Sequence, residues 1–80
     1  MTKKYLKDAT RFGARVGDIV TVIDKYPNHV GGWENGWIDE MDRYIGRSGI
    51  LTEIIEEGHY IDFGDNTHFG FPWFSLAFVR

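Results

Sequence analysis

The side chains of this 80-residue chain best suited to proton transfer or metal binding are three histidines and twelve carboxylates, and their spacing makes no catalytic set. Zinc takes three or four ligands, usually including a short-range pair such as two histidines one helical turn apart. His29, His59 and His68 form no such pair, and there is no cysteine. Asp62 and His68 have the chemistry of an orienting group and a base, but no cysteine or serine is placed as their nucleophile. A cross-strand hydrogen bond is the simpler reading. Glu34, Asp39, Glu40 and Asp42 form the densest acidic group. They lack the twelve-residue ligand pattern of a calcium loop and read as a solvated face. The expectation is a protein without catalytic residues, metal or cofactor.

Nucleotide chemistry is equally poorly served. Asp62-Phe63-Gly64 spells the metal-binding triplet of kinases, but the phosphate-covering glycine loop and the catalytic loop are missing. No Walker loop or dinucleotide fingerprint occurs. What the chain has in quantity is aromatic rings: six Phe, four Tyr and three Trp. Tyr26, Trp33, Trp37, Tyr44 and Trp73 have no assured place on a core face. Trp and Tyr dominate the energetics of protein interfaces, so these five are the candidate partner-binding residues. The competing reading is that they cap a thin core and fix a loop.

Charge is distributed unevenly. Residues 1–15 hold Lys3, Lys4, Lys7, Arg11 and Arg15 against Asp8, a net +4, whereas residues 16–80 hold four cations against eleven carboxylates, a net −7. The acidic body repels nucleic acid at long range, so only the basic arm could attract it. Lys3, Lys4, Lys7, Arg11 and Arg15 are therefore the candidate nucleic-acid contacts. In a helix, Tyr5, Ala9 and Phe12 would lie opposite those cations, and Gly13 would end it. A helix of about ten residues is marginal alone in water, so both a solvated tail and a short docked helix fit. No apolar run approaches the ~20 residues of a membrane span, and no hydrophobic stretch follows the first lysines, which predicts a cytoplasmic protein.

These side chains must be carried by one small domain, divided into an arm at 1–15 and a β body at 16–80. Ile19–Ile23 is β-branched throughout and reads as a strand. The turn-forming residues of 24–36 make a long loop displaying Tyr26, His29 and Trp33. Residues 37–45 predict a short helical turn with Met41 and Ile45 inward. Strands follow at 50–55, 59–63 and 68–71, with turns at 56–58 and 64–66. A three-residue loop at 64–66 would pair Ile61 with Phe69 and Asp62 with His68. Pro72 ends that strand, residues 73–75 suit a tight 3₁₀ turn, and 76–79 closes the chain as a fifth strand. The predicted interior is Val20, Val22, Leu51, Ile54, Ile61, Phe63, Phe69 and Phe71.

The order of these elements resembles an SH3-like barrel. The resemblance rests on Val16-Gly17-Asp18-x-Val20-x-Val22, the aromatic loop, Gly46-x-x-Gly49-x-Leu51-x-x-Ile54, Ile61-x-Phe63-x-Asp65, and Phe71-Pro72 followed by Leu76 and Val79. More narrowly, the chain is similar to the SH3-like repeats of Mind bomb-type proteins and to short phage-encoded proteins with the segment Trp37-x-x-x-Met41-Asp42-x-Tyr44-Ile45-Gly46-x-x-Gly49. This implies an all-β, five-stranded barrel that binds a host or virion protein. Proline-recognising SH3 domains carry a tyrosine three residues after the proline of the tight turn, where this chain has Ser75, so ordinary Pro-x-x-Pro binding is not expected. Gly46-x-x-Gly49-x-Leu51 also resembles the KOW signature of ribosomal and transcription-elongation barrels, which implies nucleic-acid binding as the alternative.

Overall fold

The computed structural model describes residues 4–27, 30–33, 35–66 and 69–79. Helix α1 (Lys4–Phe12) precedes five strands: β1 (Ile19–Val22), β2 (Ser48–Ile55), β3 (Gly58–Asp62), β4 (Gly70–Phe71) and β5 (Leu76–Phe78). They form one antiparallel sheet in the order β4-β3-β2-β1-β5. The fold is thus β-rich with a short N-terminal helix, and its sheet is open, with β4 and β5 at the two ends.

Alternation builds the core. Val20 and Val22 of β1, Leu51 of β2, Ile61 of β3, Phe71 of β4 and Leu76 of β5 all point to one side and are buried. Ile54, Phe63 and Phe69 pack against this cluster half-buried. The register of β3 on β4 pairs His59 with Phe71 and Tyr60 with Gly70. This is the register expected from a three-residue loop, although β4 is shorter than predicted and His68 lies outside the described residues. Between Leu51 and Glu53 the β2–β3 pairing shifts by one residue. The bulged Thr52 turns its hydroxyl to donate to the Tyr60 carbonyl at 3.1 Å.

The basic arm is not a solvated tail. Tyr5 (0% exposed) and Ala9 of α1 belong to the same buried cluster as the strands, which supplies the tertiary burial that a nine-residue helix needs. Gly13, at φ +85°, closes the helix, its N–H donating to the Ala9 carbonyl at 3.0 Å.

Residues 39–44 form a 3₁₀ helix, and this corrects one expectation. Met41 is buried as predicted, but the second inward residue is Tyr44 (4% exposed) and not Ile45 (41% exposed). Three residues per turn align Met41 with Tyr44, whereas the predicted four-residue spacing assumed an α-helical turn. A second 3₁₀ turn at Trp73–Ser75 lies between β4 and β5, as the sequence predicts.

Candidate functional site

The structure divides the five candidate rings. Trp33 is fully buried (0% exposed), and its indole N–H donates to the Glu57 carbonyl at 2.7 Å. Tyr44 is also a core residue, stacked on Phe63 at 4.6 Å between centroids and donating its hydroxyl to Asp65 at 2.9 Å. The Arg47 guanidinium covers the Tyr44 ring at 5.1 Å and pairs with Asp65. Rings so enclosed present no face to a partner, which corrects the expectation that Trp33 and Tyr44 point outward. Both fall outside the strand alternation, which is why the sequence places them at the surface. Trp33 is enclosed by contacts that no local period marks, and Tyr44 by the three-residue repeat of the 3₁₀ helix.

Trp37 is half-buried. It meets Phe71 edge-on at 5.6 Å, and its indole N–H donates to Asp42 at 2.6 Å. That bond, joined by Lys25 at 3.3 Å, holds the Asp42 carboxyl below the usual carboxylate range. Of the acidic group only Asp42 has these partners described, and Glu34 lies outside the described residues. Among the described residues no three His, Asp or Glu side chains converge as a metal site would require.

Tyr26 and Trp73 come together through Phe74, which lies outside the five candidate rings. Phe74 receives Tyr26 edge-on at 4.8 Å and Trp73 edge-on at 5.3 Å. Trp73 then leans on Phe12 at 5.5 Å, and Phe12 stacks on Phe78 at 4.9 Å. The result is a chain of five half-buried rings, Tyr26, Phe74, Trp73, Phe12 and Phe78, that meets the end of α1 at Phe12. Its three further members, Phe12, Phe74 and Phe78, are aromatics that the sequence places on the inner side of the helix, in a turn and in the last strand. Asp8, Arg11, Phe12 and Trp73 line an open groove of about 380 Å³ on this strip.

The basic residues are set by the same helix. Lys4, Lys7 and Arg11 are exposed on the side of α1 away from Tyr5 and Ala9, Arg15 is exposed beyond the helix, and Lys3 lies outside the described residues. Lys4 pairs with Asp8 at 2.6 Å, and that bond lowers the Asp8 pKa. Arg11 thus carries a cation to the lip of the aromatic groove.

Beneath the strip sits a buried polar contact. Tyr5 Oη lies 2.6 Å from His59 Nδ1 and accepts the Trp73 backbone N–H at 2.8 Å. A backbone N–H can only donate, so the hydroxyl proton is left for its other neighbours. Those neighbours are the Phe71 carbonyl, at 3.3 Å, and Nδ1, and the imidazole tautomer sets which of them receives the proton. Nε2 is buried without a hydrogen-bond partner in the described structure, and Phe12 meets the imidazole edge-on at 6.3 Å. Burial pushes His59 down to about 4 and the Tyr5 phenol well above its ordinary value. Both groups are closed to solvent. The pair therefore fixes α1 and the Trp73 turn against β3, and through them sets the position of the groove.

Comparison of the chain with protein-family models, with curated proteins and with solved structures gives no match. No helix among the described residues is long and apolar enough to cross a membrane.

Proposed function

We propose that this chain is a small, non-catalytic SH3-like module that binds an extended segment of a protein partner along the Tyr26–Phe74–Trp73–Phe12 strip. On the resemblance of its Trp37–Gly49 segment, that partner is a host or virion protein met in the host cytoplasm. The strand order supports the SH3-like reading: four strands meander, and after one 3₁₀ turn the fifth returns to the free side of β1. The observation that carries the binding reading is the groove lined by Phe12 and Trp73 with Asp8 and Arg11 at its lip. Flat rings offer area at little entropic cost, and the charged pair offers orientation. Ser75, where a proline-binding groove would need a tyrosine, is buried.

Arg11 beside exposed ring edges also supports the alternative of single-stranded nucleic acid, which such proteins hold by a cation and a stacking surface. One experiment separates the two. Tyr26→Ala and Arg11→Glu change only exposed or half-exposed groups, so both variants should keep the parent's circular dichroism. Loss of a captured host protein by both variants, with no affinity for oligonucleotides at low salt, is the expected result. Unchanged capture by both variants rejects the strip as the site. Salt-dependent binding of single-stranded DNA or RNA, abolished by Arg11→Glu, would select the alternative.

A further inference from the structure

Just beyond the buried Trp33, the chain passes through the pair Asn35-Gly36. Asn28 is followed by histidine and Asn66 by threonine, so Asn35 alone of the three asparagines precedes a glycine. Glycine leaves its own amide nitrogen uncrowded, because no Cβ stands beside it. Two hydrogen bonds fix the side-chain amide of Asn35. The Gly36 backbone N–H donates to Oδ1 at 2.9 Å, and Nδ2 donates to the Glu57 carbonyl at 3.3 Å. A backbone N–H can only donate and a carbonyl can only accept, so the two partners together exclude the flipped amide. Cγ is bonded to both side-chain atoms. It is therefore held beside the nitrogen of the next peptide, with its amino group turned to Glu57. Holding a nucleophile next to an acyl carbon in one chain is the arrangement that speeds ring closure. Asn35 and Gly36 are half-buried, which leaves both open to water.

We propose that Asn35 is a site of spontaneous deamidation, and that the change loosens this loop from Glu57. The Gly36 nitrogen gives its proton to a hydroxide ion and forms a bond to Asn35 Cγ. The Cγ–Nδ2 bond then breaks, and Nδ2 leaves as ammonia with a proton taken from water. The five-membered imide that remains takes up one water. Opening at Cγ gives aspartate. Opening at the main-chain carbonyl carbon gives isoaspartate, in which the backbone runs through the former side chain. Either product carries an ionised carboxylate where a neutral amide stood, and no electrons are exchanged with an outside group.

The surroundings make the new charge matter. The Glu57 carbonyl also accepts the Trp33 indole N–H at 2.7 Å. Behind it lies Gly70, where a Cβ would stand 2.6 Å from the Glu57 oxygen. The carbonyl is thus wedged between two neighbours and has little room to turn. A carboxylate accepts only, so the aspartate product replaces the Asn35 bond with two acceptors facing each other. Residue 35 must move away, while Trp33 stays anchored. Isoaspartate adds a second disturbance, because it lengthens the main chain by one carbon between Trp33 and Trp37.

Incubation of the folded full chain at neutral pH and physiological temperature tests the site, with peptide mass spectrometry and isoaspartate detection as readouts. A synthetic peptide of residues 30–40 gives the rate without the fold. Position 35 should gain one mass unit at least as fast in the protein as in the peptide. Gly36→Ala, with folding checked by circular dichroism, should slow the conversion several-fold. Slower conversion in the protein than in the peptide overturns the site, as does a rate indifferent to Gly36→Ala. The consequence is read separately from Asn35→Asp, which reproduces the main-chain-preserving product. Its melting temperature should fall a few degrees below the parent's, and an equal or higher value overturns the loosening of the loop.

Discussion

Tyr5 Oη and His59 Nδ1 approach to 2.6 Å although 54 positions separate them in the chain. This contact ties the first turn of α1 to β3, and Tyr5 also receives the Trp73 N–H at 2.8 Å. One phenol therefore holds three segments in register. Tyr5→Phe keeps the ring and removes the oxygen, leaving the buried Trp73 N–H without its acceptor. A loss of about 1–3 kcal/mol is expected, the desolvation cost of an unmade buried hydrogen bond. Urea unfolding of the two proteins measures it, and equal midpoints would show that the hydroxyl holds nothing.

His59 gives the fold an acid limit. Its imidazole is near the ordinary 6.5 in the unfolded chain and about 4 in the folded one. Between those values the unfolded state binds a proton that the native state refuses, so stability declines as pH falls from 6.5 towards 4. With roughly 1.4 kcal/mol per pH unit, the decline amounts to about 3 kcal/mol. Asp8 and Asp42, whose pKa values are lowered, remove their contributions only at more acidic pH. His59→Gln keeps a hydrogen-bonding side chain beside Tyr5 and should flatten the stability profile between pH 6.5 and 4. A profile unchanged by that substitution would place the acid limit elsewhere.

Trp33 and Trp37 should part company on truncation. Trp33→Ala empties a fully buried site and leaves the Glu57 carbonyl only the longer bond from the Asn35 amide at 3.3 Å, for an expected loss of about 3–5 kcal/mol. Trp37→Ala removes a half-buried ring and its bond to Asp42, and should cost less. Thermal melts of the two variants decide it. Similar losses would contradict the difference in burial.

Gly58 and Gly46 both have positive φ, +136° and +89°, but different surroundings. A Cβ on Gly58 would stand 2.6 Å from the Gly70 carbonyl carbon, backbone that cannot rotate away. A Cβ on Gly46 meets nothing within 4 Å. Gly46→Ala should therefore cost only the left-handed penalty of about 1–2 kcal/mol. Gly58→Ala adds displacement of β4 from β3 and should lower the melting temperature further. The reverse order would show that the β3–β4 contact is slack.

What the sequence determined by itself is whatever two-residue alternation and turn chemistry encode. Val20, Val22, Leu51, Ile61 and Phe71 were assigned to the interior from alternation, and they are buried. The β3–β4 register followed from parity, and Pro72 marked the end of β4 ahead of the Trp73–Ser75 turn. The tertiary structure alone decided which rings outside the strands are enclosed. Trp33 and Tyr26 come from one loop, yet one is sealed in the core and the other edges onto Phe74. It also decided that α1 docks, that Tyr44 displaces Ile45 from the interior, and that Tyr26, Trp73 and Phe12 form one strip. Local periodicity records which side of an element faces inward, because that choice is repeated every turn or every second residue. Contacts such as Tyr5 with His59 or Phe12 with Phe78 are made once, between segments far apart in the chain, and no repeating pattern marks them.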